Sequence, residues 1–121
     1  MNVNEKINFI SDWIGSYAKK NSIKSLIIGI SGGIDSAVTS TLCAKTGINT
    51  FVVSMPILDH QVLNDRGSNH IKWLKENFRN IEDINADLSE VFKSFQTTMN
   101  KINSEHGYAN SQARLRMTTL Y

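Results

Sequence analysis

Six consecutive residues combine glycines, hydroxyls and a carboxylate in an order suited to holding a phosphate. They read Ser31-Gly32-Gly33-Ile34-Asp35-Ser36 and follow a short apolar run at residues 25–30. Because Gly32 and Gly33 lack Cβ atoms, the backbone can turn sharply and bring its N–H groups close to an anion. A helix predicted to start here adds a partial positive charge, and Ser31 and Ser36 can donate hydroxyl hydrogen bonds. The pattern therefore predicts a phosphate-binding loop.

Asp35 is an unexpected residue in such a loop, because a carboxylate repels a phosphate. Two explanations are open at this stage. Asp35 could cap the helix that follows, or it could hold a Mg²⁺ that bridges to the phosphates through oxygen ligands.

Two common phosphate-binding motifs are excluded. A Walker A loop ends in Gly-Lys-Ser/Thr, whereas Asp35 stands directly before Ser36. The dinucleotide pattern G-x-G-x-x-G is also absent, because Ser31 occupies the place of the second glycine after Gly29. Without the lysine that reaches the β- and γ-phosphates, simple γ-phosphoryl transfer is disfavoured.

The elements that must position this loop alternate between helix and strand. Apolar spacing predicts, in order, helix at 4–20, strand at 25–30, helix at 35–46, strand at 50–55, a helix of about three turns around 71–78, and strand at 81–86. A long helix capped by Asp87 follows, with the apolar stripe Val91, Phe92, Phe95, Met99 and Ile102. A loop at 104–108 and a last helix from about residue 110 complete the chain. Strands that alternate with helices predict a doubly wound parallel sheet of the α/β class, with helices on both faces. The strand at 25–30 suits burial on both faces.

Two regions complete this organisation. Residues 57–68 are polar and predict an irregular, mobile flap over the nucleotide, with Asp59, Asn64 and Arg66 as weak candidate ligands. The last helix is still periodic at Leu120-Tyr121, and three strands make a thin sheet. We therefore expect residues 1–121 to be the N-terminal part of a single, longer domain, incomplete in this chain.

Composition narrows the functional classes. The chain has 121 residues, a formal charge of +2 and one cysteine. That charge is too small to predict a nucleic-acid partner or an anionic membrane, and one cysteine excludes a disulfide framework. The longest apolar run is far shorter than a membrane span, and no signal peptide is evident. A cytoplasmic protein is expected.

The loop resembles the SGGxDS pyrophosphate loop of the N-type ATP pyrophosphatases, whose fold is the Rossmann-like adenine nucleotide alpha hydrolase type. All six positions of the pattern are met. The resemblance implies cleavage of ATP between the α- and β-phosphates, with ATP or pyrophosphate bound by Gly29, Ile30, Ser31, Gly32, Gly33, Ile34, Asp35 and Ser36. It also implies Mg²⁺ on Asp35.

A second segment selects one branch of that superfamily. The string Asn110-Ser111-Gln112-Ala113-Arg114-Leu115-Arg116-Met117-Thr118-Thr119-Leu120-Tyr121 resembles the N-x-x-A-R-x-R-M-x-x-L-Y helix of the NAD synthetases. Only about 30 residues precede the loop, which leaves no room for a nitrilase-like domain. The ammonia-dependent form is therefore expected.

The two arginines of this helix lie about 200° apart around its axis. They would flank an apolar stripe of Ala113, Met117, Leu120 and Tyr121 and could not both serve one site. The resemblance implies that Arg114 contacts deamido-NAD, and we interpret Arg116 as structural or oligomeric.

The same resemblance implies a reaction and its partners. Deamido-NAD would be adenylylated by ATP and then amidated by ammonia, releasing AMP and pyrophosphate, with no catalytic side-chain nucleophile. The family implies a homodimer. Because later family motifs are missing, the chain alone is expected to be inactive. Three alternatives stay open: another SGGxDS adenylating enzyme, a nucleotide-binding module, and a non-functional piece.

Overall fold

The computed structural model describes residues 1–58, 61–99 and 105–121. Within these ranges the elements follow the order α1 (Val3–Lys20), β1 (Ser25–Ile30), α2 (Ile34–Lys45), β2 (Asn49–Ser54), α3 (Gln61–Asn77), β3 (Ile81–Asn85), α4 (Ser89–Thr98) and α5 (Glu105–Leu120). The predicted alternation of helix and strand is confirmed. No helix in the described ranges is both long and apolar enough to cross a membrane.

The three strands form one parallel sheet in the order β1-β2-β3. β2 lies in the middle, and its Thr50 and Val52 are fully buried. β1 lies at an edge of the described sheet, where Ile27 is 45% exposed. The expectation that β1 is buried on both faces is therefore wrong, because the central position belongs to β2.

One face of the sheet is covered by α2 and α3. Its buried cluster comprises Ile30, Ala44, Val52, Ile71, Leu74 and Ile81. Polar groups add long-range hydrogen bonds to this packing. The side-chain amide of Asn80 donates to the carbonyls of Ala44 and Ile48, at 2.9 and 2.7 Å. The Ser11 hydroxyl on α1 donates to the Leu42 carbonyl at 3.2 Å and ties α1 to α2.

The opposite face is covered by α4 and α5. Its buried cluster comprises Val53, Met55, Ile57, Leu88 and Phe92, with Tyr108, Leu115 and Leu120 of α5 packed against it. Phe92 is fully buried, and its ring meets Tyr108 edge-to-face with 6.0 Å between the centroids. Helices thus cover both faces of the sheet, as the sequence predicts.

Capping residues define several helix ends. Asn2 and Glu5 form a capping box at the start of α1, with two reciprocal hydrogen bonds of 2.9 Å. Asp87 accepts a 2.9 Å hydrogen bond from the Ser89 N–H at the start of α4, although Leu88 holds the N-cap position itself. α4 ends at Thr98, so Met99 lies beyond the helix, and Ile102 lies outside the described residues.

The prediction of an irregular flap at 57–68 is wrong for residues 61–68, because α3 begins at Gln61. α3 has 17 residues, more than the three turns expected. Its first turns are exposed at Asn64, Asp65 and Arg66, and the buried position beside them is Gly67. Because the buried residue among positions 64–67 is a glycine, this part of α3 shows no apolar periodicity that would predict a helix. Asp59 lies outside the described residues.

The last helix also differs from its prediction. It starts at Glu105, so residues 105–108 are helical rather than a loop. The predicted stripe is wrong at three of its four positions, because Ala113, Met117 and Tyr121 are exposed. The side that packs on the sheet carries Leu115 and Leu120 instead. This choice of face follows from contact with α4 and β1, not from the helix's own pattern.

Candidate functional site

The candidate site lies where the three parallel strands end. The carboxyl ends of parallel strands form the crevice in which α/β proteins bind ligands. A cavity of about 440 Å³ opens there, lined by Gly29, Ile30, Ser31, Ser54, Met55, Pro56, Ile57, Asn64, Gly67, Ser68, Asn85, Gln112 and Arg116. A smaller cavity of about 340 Å³ adjoins it and is lined by Ile30, Gly32, Gly33, Ile34, Ser36, Ala37, Arg66 and His70. The glycine loop, residues 31–36, runs between the two.

The glycine loop is closed by its own serines. The Ser36 hydroxyl accepts a hydrogen bond from the Ser31 N–H at 3.1 Å and lies 3.1 Å from the Ser31 hydroxyl. The Ser31 hydroxyl in turn accepts from the Gly33 N–H at 3.2 Å. The Ser36 hydroxyl also donates to the Gly33 carbonyl at 3.3 Å. The two hydroxyls therefore fix the shape of the loop.

The turn itself depends on Gly32, whose φ of +85° lies in the left-handed region that side-chain-bearing residues avoid. Gly33 is the N-cap of α2, and it makes no side-chain capping hydrogen bond. The N–H groups at the start of a helix have no acceptor within the helix. In the described part of the chain, no group is bonded to the N–H of Ile34, Asp35 or Ser36. These donors, with the helix dipole, are suited to an anion.

Asp35 lies in the first turn of α2, exposed and outside both cavities. No described residue makes a hydrogen bond or ion pair with its carboxylate, so a capping hydrogen bond from Asp35 is absent from the structure. Among residues 1–58, 61–99 and 105–121, no group of three metal-ligating side chains occurs. A single carboxylate still fits Mg²⁺ when phosphates and waters supply the other oxygens, which is the usual way Mg²⁺ binds beside nucleotides.

The opposite wall of the larger cavity is the segment after β2, residues 55–58. Each of its anchors comes from a distant part of the chain. The Pro56 carbonyl accepts from the Leu88 N–H at 2.9 Å, and the Leu58 N–H donates to the Ser89 hydroxyl at 2.9 Å. The wall therefore has a fixed position without belonging to a regular element.

The two arginines of α5 have different surroundings. Arg116 is partly buried and lines the larger cavity, and its Nε donates to the Met55 carbonyl at 3.0 Å. Burial lowers the pKa of Arg116 from its ordinary value. Arg114 is exposed and lines neither cavity. The structure thus brings the glycine loop together with Arg116, which sequence reasoning had set aside, and leaves Arg114 on the surface of this chain.

Several other residues that line the larger cavity were not predicted from the sequence. Ser54, Asn85 and Gln112 line the larger cavity only because strand ends and α5 converge there. Asn64 lines it too, and Arg66 lines the smaller one, so these two weak candidates do lie beside the glycine loop. The one sequence feature that could have pointed to Ser54 and Asn85 is positional, since both are polar residues near the carboxyl ends of predicted strands.

His70 forms the far wall of the smaller cavity. Its Nε2 lies 2.9 Å from the hydroxyl of the buried Ser40, and its ring stacks on Trp73 with 5.8 Å between centroids. Burial lowers the pKa of His70, against a smaller opposing effect from a hydrogen bond with the Ala37 backbone. A neutral imidazole is thereby favoured beside the loop.

A parallel sheet with helices on both faces, and a glycine loop between β1 and α2, defines a Rossmann-like α/β protein. Within that class, the family model described as NAD synthase matches residues 6–121. The chain therefore belongs to the NAD synthase family.

Individual relatives agree with this assignment. The chain is 36% identical to an NH(3)-dependent NAD(+) synthetase of Mesoplasma florum, over all of this chain and 49% of that protein. It is 36% identical to the corresponding synthetase of Saccharolobus solfataricus, over 94% of this chain and 40% of that protein. The chain thus spans about half the length, or less, of these curated relatives. Among solved structures, an NMN synthetase from Francisella tularensis superposes with a TM-score of 0.87 and 29% identity, over all of this chain and 49% of that one.

Proposed function

We propose that this chain supplies the ATP- and pyrophosphate-binding part of an ammonia-dependent NAD synthetase. The enzyme would convert deamido-NAD to NAD at the expense of ATP. The observation that carries the proposal is the glycine loop with unbonded N–H groups, placed at the carboxyl ends of the strands in a chain of this family.

The two cavities suggest how ATP would lie. The smaller one offers the loop amides, Ser36 and Arg66, which suit the β- and γ-phosphates that leave as pyrophosphate. The larger one offers amide side chains and the wall at 55–58, which suit the adenosine. Ile30 lines both cavities, so the α-phosphate would lie at the junction between them.

The chemistry then requires positioning more than a nucleophilic side chain. The carboxylate of deamido-NAD attacks the α-phosphorus, and the bond to the departing pyrophosphate breaks. Ammonia then attacks the acyl carbon of the adenylylated intermediate, and AMP leaves with the bonding electrons. The loop N–H groups stabilise the negative charge that develops on pyrophosphate. Asp35 would hold a Mg²⁺, and the chemistry that this ion would supply is further neutralisation of the negative charge on the departing pyrophosphate.

We further propose that Arg114 contacts deamido-NAD and that the complete enzyme is a cytoplasmic homodimer. An exposed Arg114 is compatible with a ligand that lies between this chain and another part of the assembly. Two exposed apolar residues, Met117 on the same helix and Tyr121 directly after it, leave a surface for such a contact.

A second substrate is favoured by one observation. The solved structure with 29% identity and a TM-score of 0.87 is an NMN synthetase. Amidation of the mononucleotide is therefore the second candidate.

Calorimetric titration separates these readings. We expect the purified chain to bind ATP with Mg²⁺ and to bind deamido-NAD more weakly or not at all, with no turnover of deamido-NAD in the presence of ammonia. Stronger binding of nicotinate mononucleotide than of deamido-NAD would favour the second candidate. Preference for xanthosine monophosphate would replace the proposal by another adenylating enzyme, and release of NAD by the chain alone would contradict the expected inactivity.

Asp35 provides a sharper test of the metal. Asp35→Asn removes a carboxylate that repels free ATP but would bind Mg²⁺. We expect the variant to bind ATP more tightly than the wild type when Mg²⁺ is absent. The factor by which Mg²⁺ increases the affinity for ATP should be about tenfold smaller in the variant than in the wild type. Asp12→Asn, on the exposed side of α1, makes the same charge change and should alter neither titration. Equal Mg²⁺ enhancement in wild type and Asp35→Asn would refute the metal role.

A further inference from the structure

Among the described residues, the guanidinium of Arg116 has one hydrogen-bond partner, and its other donors have none. Its Nε donates to the Met55 carbonyl, a contact between residues 61 positions apart. In the described part of the chain, no carboxylate pairs with Arg116, and no acceptor is bonded to its two terminal amino groups. An arginine that is partly buried without an ion pair is unusual, because burial of the charge is unfavourable unless something compensates it.

Arg116 is also held in a defined position. The carbonyl that it binds belongs to the wall at 55–58, whose anchors on Leu88 and Ser89 were described above. One turn further along α5, Leu120 packs beside β1, where a Cβ on Gly29 would lie 3.6 Å from the leucine side chain. At that distance a Cβ would make an ordinary van der Waals contact, so Leu120 lies directly against the strand that leads into the glycine loop. The guanidinium is positioned before any ligand arrives, which lowers the entropic cost of binding.

The surroundings of Arg116 specify the kind of ligand. The cavity that it lines also contains Ser31 at the start of the glycine loop and the neutral amides of Asn85 and Gln112. Among the described residues that line this cavity, none is acidic. A planar cation with two free amino groups, among neutral polar groups, is suited to bidentate binding of a phosphate.

We propose that Arg116 is a substrate-binding residue whose terminal amino groups bind the phosphate attached to adenosine, while its Nε holds the Met55 wall. This inference rests on the proposed placement of adenosine in the larger cavity. In this proposal Arg116 does not have a surface role. It orients the α-phosphate at which adenylyl transfer occurs.

The test compares ligands that differ only by that phosphate. Binding of adenosine and of AMP is measured by calorimetry for the wild type and for Arg116→Gln. We expect the variant to bind AMP about tenfold or more weakly, because a charge-assisted bidentate contact is lost, and to bind adenosine within about twofold of the wild type. Arg79→Gln is the matched control, since Arg79 is exposed beside the amino end of β3 and the same charge is removed.

Each outcome is informative. If binding of AMP and of adenosine weakens equally in Arg116→Gln, the residue only supports the Met55 wall and the proposal is overturned. Unchanged AMP binding overturns it too.

A second variant covers the case in which Arg116→Gln does not fold. Arg116→Lys keeps the charge and should weaken AMP binding less than tenfold, with adenosine binding unchanged. Loss of adenosine binding in that variant would again mean a structural role. Failure of the wild type to bind ATP, AMP and adenosine would instead reject the proposed function itself. Titration of the wild type and of Arg116→Gln with deamido-NAD, compared with the AMP titrations, shows which of the two nucleotides supplies the phosphate that Arg116 binds.

Discussion

The two faces of the sheet bring residues to the same cavity by different means. On the face covered by α2 and α3, the glycine loop follows β1 directly, and its shape is fixed by contacts within six residues, Ser31 to Ser36. On the face covered by α4 and α5, Arg116 reaches the cavity through a contact with Met55, 61 residues away. The first arrangement is local in sequence, whereas the second exists only after the sheet and two helices have packed.

This difference explains how each half of the site is stabilised. The loop needs a strand, a left-handed glycine and a helix start, all of which are adjacent in the chain. α5 has no such local support, and it is positioned by packing of Leu115 and Leu120 on a cluster centred on Phe92. The α5 half should therefore be more sensitive to core mutations, and the loop half more sensitive to changes of backbone conformation.

The largest effect is expected where the α4–α5 face is anchored. Phe92→Ala removes a fully buried ring and should lower the free energy of unfolding by about 3–5 kcal/mol. Phe95→Ala, one turn along α4 and 41% exposed, is the control and should cost less, about 1–2 kcal/mol. Urea denaturation followed by tryptophan fluorescence measures both. Similar losses for the two variants would mean that Phe92 does not anchor this face.

The loop half is tested through backbone conformation. Gly32→Ala and Gly47→Ala each place a Cβ on a left-handed residue, at φ of +85° and +78°. Both should lower the free energy of unfolding by about 1–2 kcal/mol. Gly47 ends the turn after α2, where a Cβ meets no atom within 4 Å, so it isolates the conformational cost.

ATP binding then separates these two glycines. Gly32→Ala should weaken ATP by about tenfold or more, because the loop N–H groups are displaced, while Gly47→Ala should leave ATP affinity unchanged. If both variants bind ATP as the wild type does, the glycine loop is not the phosphate site.

The smallest effect concerns pH on the α2–α3 face. Burial lowers the pKa of His70, so the unfolded chain takes up a proton at a higher pH than the folded protein. Stability should therefore fall as the pH falls through the ordinary histidine pKa of about 6.5 towards the lowered one. His70→Gln keeps a polar partner for Ser40 and should lose this part of the pH dependence. The free energy of unfolding of the wild type and of His70→Gln is compared at about pH 7.5 and about pH 5.5. An equal change with pH in both proteins would contradict a contribution from His70.

Much of the fold could be predicted from the sequence, because its signals were local. β1 was located residue for residue, and α1 and α2 each to within one residue at either end. The glycine loop was found where the structure has it. The errors lie where burial does not follow apolar composition. Among the described residues in the first half of α3 the buried one is Gly67, which has no side chain, whereas Met117 of α5 is exposed despite its apolar side chain.

The sequence by itself determined the glycine loop, the parallel α/β fold and, through the A-R-x-R-M segment, the family. Each of these depends on residues within a few positions of one another, so the chain carries them without tertiary context. Only the tertiary structure decided which face of α5 is buried and which of its arginines enters the cavity. The physical reason is that Arg114 and Arg116 lie on opposite sides of one helix, and a helix with apolar residues on both sides is oriented by what it packs against. Here the packing of Leu115 and Leu120 against the sheet orients α5, and Arg116 is brought to the cavity beside the glycine loop.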